Sequence, residues 1–531
     1  KRDTDSSRSA AAGEPETAAA VPQQDSSSDT IVAVGLAKRH KKELLAAGAA
    51  LALVIAGLSY GISRFAAPAG GEAIDSVAVL PFENVGGDPE TEYLSDGITE
   101  TLINNLSRLP GLRVASRGSA FRFKGLDNDP RAAGKELNVD AVVTGRVLQR
   151  GDTLVIGAEL VDVVQDAHLW GEQYNRRAAD IFAVQEEIAR DITQALRLKL
   201  SPEDEQRLSS RPTEVSEAYR HYLRGRFYWN RRTEEDIRKG LAFFEQAIAM
   251  DPNFALAYVG VADSYTVLTA WSVLPSKQAV PPARAAALKA VELDETLAEA
   301  HVSLAAVKQN EFDWQGAEQE FKLAIELNPR YATAHQWYAE ILLPLGRHEE
   351  AEQAFHRALE IDPGSLIIQS AAGQLYYYWR QYDEAIKRIQ AVIDKDPTFA
   401  PAYAYISDVY RGMEDVENEL AAQKQFAVLT GGDLDSFSRQ EHAFAEGGRE
   451  GYLRAQLAVL EEDEKAGQPN WYALAAVNVR LGNKEAALDW LERCYRERGG
   501  IIERLKVDPM FDDLHDAPRF QSLLRRMNLP E

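Results

Sequence analysis

Acidic or amide residues followed by proline recur through the second half of the chain at a fixed step. Asp251-Pro252, Asp294, Asn328-Pro329, Asp362-Pro363 and Asp396-Pro397 close successive units, with steps of 43, 34, 34 and 34 residues between the first members. Small and aromatic positions keep the same phase: Gly240, Phe244 and Ala247; Ala317, Phe321 and Ala324; Ala351, Phe355 and Ala358. Alanine and glycine let paired helices approach, the aromatic ring fills the space between them, and proline stops the second helix. The nine extra residues of the second unit, Trp271 to Ala279, are expected to form a loop insertion. Such a chain cannot be one globule around one core; it must be a stack of helix pairs.

A 34-residue period is the signature of tetratricopeptide repeats. The repeats are expected over residues 215–500 as seven or eight helix pairs, with a C-terminal cap over 501–531. Glu295 stands where proline usually closes the second unit, and the phase fades from Met413 to Gly467 before returning near Gly482. Stacked pairs leave a concave groove lined by the first helix of each repeat. The residues expected to face it are Gln309, Asn310, Gln336, Glu340, Gln374, Tyr377, Asp408 and Arg411, a mixture of amide, charged and aromatic groups suited to a protein or peptide ligand.

Residues 1–42 are rich in Ser, Ala, Pro, Glu and Gln without an aromatic side chain and are expected to be a disordered cytoplasmic linker. The run Leu44 to Ile62 is free of charge and preceded by Lys38, Arg39, Lys41 and Lys42. At about 1.5 Å per residue it spans a hydrocarbon core, so residues 43–63 are expected to form one transmembrane helix. The basic flank implies a single-pass protein of the inner membrane, with the N-terminus cytoplasmic and the later domains extracytoplasmic. Gly48, Ala52 and Ala56 recur every fourth position, a spacing from which a homodimer through that helix is expected. A further linker is expected over 64–74. The first methionine is Met250, so a segment upstream of Lys1 is expected.

Between these regions the pattern alternates. Ser76 to Phe82 is a β-branched run closed at Pro81, Glu92 to Leu109 carries apolar residues at helical spacing, Leu112 to Arg117 is a second strand and Pro130 to Asn138 a short helix. A hairpin turning at Gly151-Asp152, a third strand from Ala167 and a closing helix from Asp180 to Leu200 complete an expected α/β sandwich over 75–200. The fold class is thus α/β plus all-α, joined to one membrane helix.

No catalytic constellation is present: neither phosphate-binding glycine loops nor HExxH, CxxC or GxSxG occur. No catalytic, cofactor or metal residue is assigned, and the chain is expected not to be an enzyme. Asp88, Glu90, Glu92 and Asp96 read as charges complementing a helix N-terminus rather than as a cation site. His301 and His335 occupy equivalent repeat positions and are expected to pack. A formal charge of −23, concentrated in the C-terminal half, repels phosphate backbones, so nucleic acid is not an expected partner. The lone Cys494 can form no internal disulfide.

Three stretches, SVAVLPFENVGGDPETEYLSDGITETLINNLSRLPGLRVASRGSAFRFKG, DAVVTGRVLQRGDTLVIGAELVDVVQDAHLWGEQYNR and DIFAVQEEIARDI, together with the repeats, resemble the TolB-amino-terminal-like domain joined to tetratricopeptide repeats in bacterial membrane signalling proteins. In such proteins a cytoplasmic effector precedes the membrane helix, most often a serine/threonine kinase, sometimes a winged-helix domain or a nucleotide cyclase. The resemblance therefore implies the sensor or scaffold part of a receptor-like kinase. The rival reading is a free-standing cell-envelope assembly factor or chaperone scaffold.

Overall fold

The first strand, β1 (Ser76–Val79), is wholly buried and stops just before Pro81, which lacks the N–H a ladder needs. The computed structural model, to which this strand belongs, describes residues 74–529 apart from 89–90, 110, 126–128, 210, 232, 271–273, 468 and 500. β1 pairs in parallel with β3 (Arg113–Val114) on one side and β4 (Ala141–Arg150) on the other. β4, β5 (Thr153–Asp162) and β6 (Ala167–Arg177) form an antiparallel meander, giving the order β3-β1-β4-β5-β6, with the short β2 (Glu83–Asn84) beside β4. The β4–β5 turn is the two-residue Gly151-Asp152, and Gly151 has φ 59°, the left-handed region such turns require.

Alternation along β1 sends Val77 and Val79 to one face and Ala78 and Leu80 to the other. The first face is covered by α1 (Glu92–Ser107), through Leu94, Ile98, Leu102 and Leu106, and by α4 (Ile181–Ala195), through Val184, Ile188 and Ile192. α2 (Arg117–Ala120) precedes α3 (Pro130–Glu136), whose Ala133 packs with Leu137 on the second face; α5 (Pro202–Ser209) leads out of the unit.

The rest is helical. Among the described residues seven helix pairs follow: α6 (Ser216–Asn230) with α7 (Glu234–Met250), α8 (Ala255–Ala270) with α9 (Ser276–Leu293), α10 (Ala298–Asn310) with α11 (Trp314–Leu327), α12 (Ala332–Leu342) with α13 (His348–Ile361), α14 (Leu366–Tyr378) with α15 (Tyr382–Lys395), α16 (Ala400–Gly412) with α17 (Val416–Thr430), and α19 (Trp471–Arg480) with α20 (Lys484–Glu497). Between the last two pairs lies α18 (Leu434–Lys465), broken at Gly448, which accounts for the fading period there. α21 (Pro518–Arg526) ends the chain. The expected loop insertion is only partly a loop, because from Ser276 its residues start α9.

Each pair is wedged by one side chain of its second helix. Phe244, Ala287, Phe321, Phe355 and Ile389 occupy the same register and are all at most 2% exposed. Phe244 is clasped by two glycines: a Cβ on Gly225 or Gly260 would lie 2.5 or 2.6 Å from its ring. The acidic landmarks also have a structural cause. Asp251, Asp294, Asn328 and Asp396 leave helical φ/ψ at the helix end, and each side chain accepts a backbone N–H two residues on, turning the chain towards the next repeat.

Ile74–Glu531 form one compact unit, and the first repeat helix belongs to the α/β core, where Ala218, Tyr219 and Leu223 join the α1 and α4 side chains. Among the described residues no helix is long and apolar enough to cross a membrane. The expected linker 1–42 and membrane helix 43–63 lie outside the described residues. The fold class is corrected to a mostly helical tetratricopeptide-type solenoid with a small sheet region, and the transmembrane helix and the single-pass inner-membrane location built on it are withdrawn. The homodimer expected through that helix loses its basis as well.

Replacing Phe244 by Ala should remove about 3–5 kcal/mol of local stability, since two glycines cannot collapse into the space left. Hydrogen exchange should show α6 to α9 losing protection while α14 to α16 keep theirs, as nearest-neighbour coupling requires.

Candidate functional site

The first helices of the repeats line a cavity of about 1700 Å³, closed on one side by α1 and α2 of the α/β unit. Polar contacts on two sides hold that unit in place. Glu100 accepts from Arg117 Nε at 2.9 Å, from Arg226 Nε at 2.9 Å and from Asn230 Nδ2 at 3.2 Å. Burial alone would raise its pKa, but Arg226 and Arg117 outweigh burial and hold it below the ordinary carboxylate range. Tyr219 shares a 2.7 Å hydrogen bond with Thr101 and donates to Gln185 Oε1 at 3.1 Å. On the far side Ser119 Oγ donates to Asp362, and Arg330 donates to the Leu112 carbonyl. Among the landmarks of the series the Asp362 side chain reaches back to the α/β unit, and burial raises its pKa.

The start of the C-terminal segment, Ile501, Glu503 and Arg504, lines the cavity, while Arg519 and Arg526 further on pair with α20. Arg504 Nη1 donates to Gln374 Oε1 at 2.8 Å and to the Tyr378 hydroxyl at 2.9 Å, and Nη2 lies 4.0 Å from Glu340. Asp508 accepts the hydroxyls of Tyr377 at 2.7 Å and Tyr472 at 2.6 Å. Trp314 Nε1 donates to the Met527 carbonyl at 2.7 Å, and Lys277 meets Glu497 at 2.7 Å beside a bond from Ser276 Oγ to the Arg498 carbonyl. The array is thereby closed on itself.

Of the residues expected to face the groove, Gln309, Asn310, Gln336, Glu340, Gln374 and Asp408 line the cavity. Gln336 Nε2 donates to Glu340 Oε1 at 2.9 Å, and Gln374 Nε2 to Asp408 Oδ2 at 3.2 Å. Tyr377 and Arg411 are not among the lining residues: Tyr377 is spent on Asp508, and Arg411 Nε donates to the fully buried Glu419 at 2.9 Å. Sequence reasoning missed Asp263, Glu299, Glu503 and Arg504. Asp263 was within reach, since Glu340, Gln374 and Asp408 lie 34 residues apart, and one further 34-residue step followed by the 43-residue first step carries the same register back to Asp263. Arg504 had no such signal, because it lies outside the repeats.

Poor solvation inside the cavity raises the pKa of Asp408, Glu340 and Glu503, the last having no hydrogen bond from another side chain among the described residues. The other candidate groups are structural. Lys124 Nζ lies 2.8 Å from Glu92 and 2.6 Å from Asp96, and no group of metal-ligating side chains occurs among the described residues; Glu90 falls outside them. His301 Nδ1 lies 2.6 Å from Glu320, His335 is buried against the Pro329 carbonyl, and Cys494 is buried with its thiol pushed up.

Residues 310–375, which contribute much of the cavity wall, match the tetratricopeptide repeat family model. That stretch of the helical array consists of tetratricopeptide repeats. Residues 73–191 match a model described as the HilA/YgeH-like transcriptional regulator, second domain. That description differs from the TolB-amino-terminal-like one expected for this unit. A Rhizobium meliloti (strain 1021) protein provisionally named adenylate cyclase 3 is 40% identical over 190 residues, 35% of this chain and 32% of that protein. The chain thus spans about a third of the relative's length. Among solved structures, a thermophilic TPR protein of Thermus thermophilus is 18% identical over 36% of this chain and 98% of its own, with TM-score 0.32. Pseudomonas aeruginosa pilF is 17% identical over 46% and 95%, with TM-score 0.27. None of these matches bears a kinase description.

Glu100→Gln should leave Arg117 and Arg226 buried without a counter-charge and cost about 3–5 kcal/mol at neutral pH, measured by urea unfolding. Because the folded pKa of Glu100 is lowered, its contribution is present above about pH 4 and is lost on further acidification; the variant should show a flatter acid limb. Glu503 has the opposite sign. Its raised pKa means stability present at low pH and lost as pH rises, so Glu503→Gln should raise the thermal midpoint at pH 7 and leave it nearly unchanged at pH 4.

Proposed function

We propose that this chain is a non-catalytic interaction scaffold whose tetratricopeptide cavity binds a peptide segment of a signalling partner. The observation that carries the reading is a cavity of about 1700 Å³ lined by Gln309, Gln336 and Gln374, amides able to donate to and accept from a peptide backbone. The α/β unit, anchored through Glu100 and Asp362, forms one wall of the cavity. A bound segment would touch both parts, which suits a module that transmits occupancy to an attached effector.

The relative named as an adenylate cyclase supports a cyclase-linked pathway, with the effector activity supplied outside residues 74–529. The receptor-kinase reading rests on the resemblance of the sequence alone.

The test is a peptide array probed with the full chain and with Gln309→Trp, which places an indole in the cavity at a half-exposed position. Peptides that bind the parent should lose about tenfold or more in affinity, with the thermal midpoint preserved. Equal binding by both proteins would remove the cavity from the reading. Incubation of the full chain with ATP should give neither cyclic nucleotide nor phosphoprotein; turnover of ATP would show it to be an enzyme.

A further inference from the structure

The scaffold reading leaves open what chemistry the bound segment carries. The cavity wall bears on that question through its charge pairing. Three of the carboxylates that line the cavity come from different elements: Glu299 on α10, Glu340 on α12 and Glu503 in the C-terminal segment. Among the described residues Glu299 and Glu503 enter no ion pair. Glu340 accepts one amide hydrogen bond from Gln336, and its nearest cation is the edge of Arg504 at 4.0 Å, a guanidinium already held by Gln374 and Tyr378.

Apart from Arg108, at the end of α1 on the α/β side, the cavity's arginines are otherwise engaged, Arg122, Arg211 and Arg231 with Glu136, Glu214 and Asp236. Arg226 and Arg117 are taken by Glu100, and Arg330 donates to the Leu112 carbonyl on the α/β side. A carboxylate in a poorly hydrated cavity is disfavoured unless a cation or donors compensate. Here the compensation is incomplete on the repeat side, and Tyr331 and Tyr405 place aromatic rings beside these acids, as a cation-binding wall requires.

We propose that the cavity selects a basic, extended peptide segment, with Lys or Arg side chains reaching Glu299, Glu340 and Glu503. The proposal rests on the scaffold reading above and names its ligand class. Geometry adds a spacing. The first helices of neighbouring repeats pack about 8–10 Å apart, Glu340 sits seven positions further along its helix than Glu299 does on its own, about 10 Å, and an extended chain advances about 3.3 Å per residue, so basic residues should recur roughly every fourth position.

The probe is a fluorescein-labelled peptide of roughly twelve residues with Arg at every fourth position, titrated with the full chain by anisotropy at about 0.15 M salt. An isomer with its arginines in one block and a peptide with Glu in place of Arg are the comparisons. The spaced peptide should bind most tightly. The combined variant Glu299→Gln, Glu340→Gln and Glu503→Gln should weaken it by at least about tenfold. A charge-matched variant with Glu235→Gln, Glu450→Gln and Glu485→Gln, all on exposed side chains, should change it by less than about twofold. Should the combined variant unfold, Glu299→Gln alone, with an unchanged thermal midpoint, carries the same expectation at about threefold.

Equal weakening by the two sets would reduce the binding to general polyelectrolyte attraction and overturn the proposal. So would an unchanged affinity in the cavity variant, or tighter binding of the Glu peptide. If a Glu or neutral peptide binds and Gln309→Trp blocks it, the charge selection fails while the scaffold survives. If nothing binds in the cavity, both fail.

Discussion

The two parts of this protein are held as one body by a carboxylate that neither part could bury alone. Glu100 sits on α1 of the sheet unit, yet one of its two arginines, Arg226, comes from the first repeat helix. Removing the helix would strand a buried acid, and removing the acid would strand two cations. The apolar contacts of Tyr219 and Leu223 with α1 and α4 give the joint its area. The ion pairs give it a single register. Everything described for the cavity follows from that joint, because one wall is sheet unit and the other is repeat.

The repeats were legible because their physics is local. An aromatic or aliphatic wedge, a small residue opposite it and an Asx turn must recur wherever one helix pair stacks on the next, so the 34-residue step was visible without any long-range knowledge. The strands and helices between 75 and 200 also stood out, since alternation and helical spacing differ sharply there. What local pattern could not show was partnership across the chain. Nothing near Asp362 distinguishes it from Asp251 or Asp396, yet it bonds to Ser119, 243 residues away. Tyr377 was expected at the groove from its register alone, and its hydroxyl instead belongs to Asp508. The membrane helix was an inference from composition and flanking charge, and no helix of that kind is found among the described residues.

The cavity combines two kinds of polar group with different duties. Gln374 and Asp408 bond each other across adjacent repeats and Gln336 bonds Glu340 one turn along α12, which fixes their orientation at some loss of freedom to engage a ligand. Glu299 and Glu503 are not fixed in that way. A wall whose amides are pre-oriented and whose acids are incompletely compensated is organised for recognition, in that the ordering cost has been met before any segment enters.

The contacts between α9 and α20 have a mechanical consequence. An open solenoid behaves as a spring, since each repeat touches only its neighbours and small rotations add along the stack. Here Lys277 meets Glu497, Ser276 bonds to the Arg498 carbonyl, and Trp314 is tied to Met527. Those ties convert the spring to a clamped ring. Tension applied between α6 and α20 would meet stiffness until the ties break and then a sudden increase in compliance, so this array is suited to holding a shape under load and not to stretching with it.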